Sequence, residues 1–157
     1  MKHLILVVVM MITSTFTFSQ DISKNYLGKS LNRNISHYKS LNYQFVEEDS
    51  FYAKFFVPNN NETYDFDITL LLFASPESKT VWFGVMTFDT ENKKEKKTKF
   101  SSMVKEMKKI YGKPYKKNRK VVKWDVNGYL VYVENLKSGV KYTVINTETF
   151  FKVEGEF

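Results

Sequence analysis

Residues 98–111, TKFSSMVKEMKKIY, decide how the rest of the chain is read. Phe100, Met103, Val104, Met107, Ile110 and Tyr111 recur at the i, i+3, i+4, i+7 spacing of one helical face. Lys99, Lys105, Lys108 and Lys109 fall outside that arc. Gly112 supplies the residue that ends a helix at positive φ, and Pro114 blocks continuation. The spacing therefore predicts an amphipathic helix over 98–111. Nearly all other periodic segments have the alternation of strands, so the fold implied is a helix laid over an antiparallel sheet, with Phe100, Met103, Val104, Met107 and Ile110 buried against it.

Upstream, residues 31–41 carry Leu31, Ile35 and Tyr38 at i, i+4, i+7, with Ser30 or Asn32 available as a cap; this is a second, shorter helix. Strands are expected at 43–46, 51–57, 64–73 and 81–88 before the main helix, and at 121–126, 129–134 and 140–145 after it. A last strand is expected at 149–153, with fraying at 154–157. Residues 47–50 make a hairpin turn, residues 58–61 a loop and residues 76–79 a turn. Asn127-Gly128 is the strongest hairpin signal, because that pair adopts the positive φ angles of a type I′ turn. The run 70–74 implies a central strand covered on both faces, and Trp82 and Trp124 are expected in the core. The class is α+β: an antiparallel sheet of seven or eight strands with two helices packed mainly on one face. Its order also fits two tandem helix-plus-meander units.

Residues 1–19 have a short basic start at Lys2, an apolar core at 4–12 and a polar, small-residue exit, the layout of a secretory signal peptide cleaved between Ser19 and Gln20. That core is shorter than the roughly 20 apolar residues a bilayer span needs. The remaining chain, 20–157, suits a single α+β domain in the periplasm or outside the cell. It has no cysteine, so neither lipidation at the junction nor a disulfide is expected, and stability must come from apolar burial.

Leu27-Gly28-Lys29-Ser30, Tyr111-Gly112-Lys113-Pro114, Trp124 and the 140–145 strand stand in an order that covers most of the chain beyond the leader. In these features the layout resembles a broad group of small secreted or envelope-attached proteins of Gram-negative bacteria whose function is not assigned. The helix-then-meander order is also similar to the small outer-membrane assembly lipoproteins and to the β-lactamase inhibitory protein. That likeness implies binding to other proteins and no active site. The missing lipidation cysteine departs from the lipoprotein pattern.

The charge pattern is the one compositional signal that points to a partner. The chain carries a formal +7. Residues 47–91 hold nine acids against two lysines, a net of −7, whereas residues 93–123 hold fourteen basic residues against Glu95 and Glu106, a net of +12. The candidate contacts for an anionic partner are Lys93, Lys94, Lys96, Lys97, Lys105, Lys108, Lys109, Lys113, Lys116, Lys117, Arg119 and Lys120. A helix of 14 residues is about 20 Å long, so both ends of this run can share one side of a small domain. Lysine rows attract polyanions by counterion release. Only one arginine stands among them, and base reading favours arginine, so no specific nucleic-acid recognition is expected.

Catalytic chemistry has little material. Beyond the leader the single histidine is His37, and no Gly-x-Ser-x-Gly turn presents a nucleophile. One histidine and no thiol exclude a His/Cys zinc site. The oxygen-rich stretch 59–67 lacks EF-hand spacing, and Gly112-Lys113 follows a helix, the wrong order for a phosphate loop. Glu47, Glu48 and Asp49 leave open a carboxylate-dependent hydrolase as the weakest reading. The expectation is a secreted or periplasmic, non-enzymatic binding protein without cofactors. Its partner is either an unknown protein or, in the alternative reading, an anionic polymer or surface.

Overall fold

The computed structural model describes residues 31–41, 43–57 and 67–157. The expected leader, the polar lead-in, the 58–61 loop and the first residues of the 64–73 strand lie outside them. The element order is α1 (Ser36–Lys39), β1 (Gln44–Glu48), β2 (Tyr52–Phe56), β3 (Asp67–Ala74), β4 (Val81–Asp89), α2 (Lys93–Tyr111), β5 (Lys116–Lys117), β6 (Val121–Val126), β7 (Tyr129–Asn135), β8 (Gly139–Asn146) and α3 (Thr147–Val153), with a final 3-10 turn at Glu154–Glu156.

All eight strands form one antiparallel sheet in the order β1-β2-β3-β4-β8-β7-β6-β5. It consists of two four-stranded meanders, each preceded by a helix and joined through their last strands, β4 and β8. The seam runs from Phe83 opposite Ile145 to Asp89 opposite Gly139. Gly139 is required there: a Cβ would lie 2.1 Å from the Phe88 carbonyl oxygen. The Asn127-Gly128 hairpin has φ of 47° and 80° at its two central residues, as type I′ geometry demands.

One face of the sheet is the core. Phe55, Leu70, Leu72, Val81, Met86, Val122, Trp124, Val131, Val133, Tyr142 and Val144 all point into it. Leu31, Ile35 and Tyr38 of the α1 region and Met103, Val104 and Met107 of α2 cover it. Both expected helices thus pack on the same face. Phe100 and Tyr111 are half-buried at its margin. Ile110 is 48% exposed, contrary to expectation. On a helical wheel it sits beyond Met103, at the rim of the buried arc.

The first helix is far shorter than the 31–41 pattern predicts. Ser30 lies outside the described residues, and Asn32 does not cap it; Ile35 occupies that position without a side-chain bond. The reason is competition for backbone groups. Ile35 donates its N–H to the Lys79 carbonyl, and Val81 donates to Arg33, so residues 33–35 are tied to the start of β4 instead of continuing a helix.

The last strand expected at 149–153 is a helix. Asn146 caps it, its Oδ1 accepting the Thr149 N–H at 2.9 Å. The chain end does not fray, because Phe157 stacks on Phe51 and lies edge-on to Trp82, which in turn rests on Phe150. Trp82 is therefore half-buried in this second aromatic cluster, outside the main core. Phe83 links that cluster to Phe73 on the face of the sheet away from α2. That face is only partly covered: Leu71 and Phe73 alternate with the buried Leu70, Leu72 and Ala74 and remain half-exposed.

Candidate functional site

The lysine run begins inside α2, whose first turn lies five residues upstream of the 98–111 pattern. Asn92 caps the helix, its Oδ1 accepting the N–H groups of Lys94 and Glu95 at 3.0 and 3.3 Å. Glu95 answers by accepting from the Asn92 side-chain amide at 3.0 Å. The pair differs from a capping box in that Glu95 takes the side-chain amide, while the Asn92 backbone N–H donates to Thr90 Oγ1 at 3.1 Å. It converts Lys93, Lys94, Lys96 and Lys97 from loop residues into helical ones with fixed spacing.

At 100° per residue, Lys94, Lys97, Lys105 and Lys108 fall within an arc of about 80°, with Ser101 between them. They form a stripe about 21 Å long at 1.5 Å per residue. Lys109 borders it on one side, and Glu95 and Glu106 follow beyond Lys109 on that same side. All but Lys96 of the twelve candidate residues are exposed. Lys96 is half-buried and donates to the Lys137 carbonyl at 2.9 Å, so it is spent on the fold. Lys99 also turns inward: its ammonium lies 4.0 Å from the centre of the Phe88 ring. Burial pushes its pKa down, and Glu106 partly restores it.

Past the helix, the indole N–H of Trp124 donates to the Gly112 carbonyl at 3.0 Å and fixes where the chain leaves α2. Tyr115 donates its backbone N–H to Lys123, and Lys116–Lys117 pair with β6 as the outermost strand. Asn118 accepts from Lys120 and Val121 at 2.8 Å each, which holds the turn carrying Arg119 and Lys120. Lysines on a short edge strand also discourage unwanted strand pairing. Sequence reading passed over Tyr115, which is 61% exposed in the middle of this run. Its position between Pro114 and two lysines was the available clue.

The electrostatics divide the molecule. The ion pairs among the described residues are Lys39–Glu48, Lys54–Glu47 at 3.5 Å and Lys141–Glu134 at 2.6 Å. None uses a residue of the candidate run. Glu47, Glu48 and Glu134 have lysine partners, while the cations of the α2 stripe and the β5 edge face solvent.

The half-covered face bears a shallow groove of about 340 Å³ over β2, β3 and β4, floored by Tyr52, Leu71, Phe73 and Val85. Glu47 is its single lining carboxylate and is bridged to Lys54. Glycoside hydrolysis uses two. His37 lies on α1 with Arg33 Nη1 3.3 Å from its Nε2, and the edge of its ring meets Tyr38. No group of three or more His, Cys, Asp or Glu side chains able to hold a metal occurs among the described residues, and none of their helices is long and apolar enough to cross a membrane.

Compared with protein-family models, curated proteins and solved structures, the chain matches none.

Proposed function

We propose that this is a non-enzymatic binding protein of the periplasm or extracellular space that holds anionic polymers or anionic surfaces on its lysine face. The observation that carries the reading is the uncompensated cation stripe of α2, continued onto the β5 edge by Lys113, Lys116, Lys117, Arg119 and Lys120. Each phosphate, sulfate or carboxylate contacted releases condensed counterions from the polymer, so many lysines spread over a surface give affinity without base or sugar reading. Scarcity of arginine fits the same picture, since lysine acts as a point charge and not as a bidentate clamp. The expected leader, and the expected likeness to envelope proteins, support a partner outside the cytoplasm.

The test is retention on immobilised heparin and on duplex DNA across a salt gradient. Reversing charge at Lys116, Lys117 and Lys120 to Glu should abolish retention at physiological salt; an unchanged elution position would remove the proposal. Mass spectrometry of the exported protein should find Gln20 as the first residue.

A further inference from the structure

The β5 edge presents more than charge. Across the half-covered face, register places Lys116 opposite Lys123 and Lys123 opposite Tyr132. The Lys123 ammonium lies 4.6 Å from the centre of the Tyr132 ring. Tyr115, just before β5, donates its backbone N–H at 3.1 Å to the carbonyl of Lys123, the residue paired with Tyr132. Its own ring is largely in solvent, and no described ring stacks on it. The acids nearby are Asp125, which is exposed, and Glu134, which is bridged to Lys141.

An aromatic ring left in water among lysines contributes nothing to the core, and it adds no charge to attract a sulfated or carboxylated chain. It does offer a flat π-face beside a phosphate-attracting surface. That combination is how sequence-tolerant single-strand binders hold their ligands: lysines follow the backbone while unpaired bases stack on aromatic side chains. In a duplex the bases are stacked on one another and do not meet the ring.

We infer that Tyr115, with Tyr132, Lys116 and Lys123 beside it, is a stacking platform for unpaired nucleobases, so that among anionic polymers the protein prefers single-stranded nucleic acid. This rests on the polyanion reading above and deepens it.

The experiment measures fluorescence anisotropy of the purified protein with four labelled probes at one salt concentration. They are single-stranded oligo-dT, an abasic deoxyribose-phosphate oligomer of equal length, duplex DNA and a heparin fragment. The expected result is tightest binding to oligo-dT. Tyr115→Ala should weaken oligo-dT binding by about 5- to 150-fold, the range for loss of one stacked base, and leave the abasic oligomer and heparin unchanged. Tyr115→Phe should retain the oligo-dT affinity. Because Tyr115 is exposed, the Ala variant should keep the parent circular dichroism spectrum. If oligo-dT and abasic oligomer bind equally, or if Tyr115→Ala weakens heparin as much as oligo-dT, the stacking platform is wrong while the lysine face stands. If no probe binds in a salt-sensitive way, the polyanion reading itself fails.

Discussion

Replacing Lys94, Lys97, Lys105 and Lys108 together by Gln tests the α2 stripe as the contact surface. These side chains are exposed, and Gln has nearly the helix propensity of Lys, so the fold should survive. The stripe is about 21 Å long, and one strand of duplex DNA carries a phosphate roughly every 3.4 Å, so about six phosphates lie along it. Four lysines can therefore each neutralise a different phosphate. With a slope of about −0.9 in log K against log salt per phosphate, the four account for about −3.6 of the total slope. Over a fourfold rise in salt, the unmodified protein should lose roughly 150-fold more affinity than the variant. Anisotropy titrations of a labelled duplex at several salt concentrations give both slopes. A quadruple variant with the parent slope would show that polyanions bind elsewhere. An equal flattening on replacing Lys54, Lys79 and Lys141, which lie off the stripe, would show that only net charge matters.

Three further outcomes are expected. Asn92→Ala should cost about 1 kcal/mol, the usual value of an N-cap, and lower the melting temperature by about 2–4 °C. Gly139→Ala should destabilise by about 1–3 kcal/mol, because its Cβ meets the backbone of Phe88 and Asp89, whereas Gly155→Ala, with nothing within 4 Å, should be neutral in the same thermal melts. Burial raises the phenol pKa of Tyr111, and likewise those of Tyr129 and Tyr132. The stability they contribute is complete below about pH 10 and lost as pH rises above it. Lys99, whose pKa is lowered, acts oppositely: its contribution is present above about pH 10.5 and lost as pH falls. Tyr111→Phe should therefore flatten the alkaline loss of stability in urea titrations between pH 9 and 11; an unaltered pH profile would contradict this.

The fold was legible where periodicity was sustained. Val122 and Trp124, Val131 and Val133, and Leu70 and Leu72 alternate as the sheet requires, and Met103, Val104 and Met107 mark the helix face that meets it. Capping was the main source of error. Asn92 and Glu95 extend α2 through KKEKK, a stretch with no apolar stripe to signal a helix. Asn146 starts a helix in TETFFKV, whose Thr, Phe and Val residues have strand propensity; local capping overrides that preference. The anchoring of Phe157 leaves no local signal, because its partners, Phe51, Trp82 and Phe150, are distant in sequence or on another element. For the candidate site, the charge run was visible from composition alone. Which lysines face solvent was not, since Lys96 and Lys99 are separated from Lys94 and Lys97 only by where the helix meets Lys137 and Phe88.

The placement of charge on α2 bears on why the lysines are there. A helix N-terminus carries roughly half a positive charge, and acids there are stabilising while cations are not. A surface tuned only for solubility could place Asp or Glu in the first turns and keep lysine for the last. Lys108 and Lys109 obey that rule. Lys93, Lys94 and Lys97 oppose it, with Glu95 the single acid among them. They also repel one another at i, i+3 and i, i+4 spacing. The N-terminal half of the stripe thus works against the fold that presents it, and the Asn92–Glu95 cap and the burial of Met103, Val104 and Met107 must offset that cost. Stability given up at a surface is expected where the surface binds something. An anion lying along α2 would relieve both the repulsion and the unfavourable end charge, so ligand binding and helix stability are coupled through the same side chains. Salt should accordingly act in opposite directions: it screens the lysine repulsion and steadies the free protein, yet it weakens the complex.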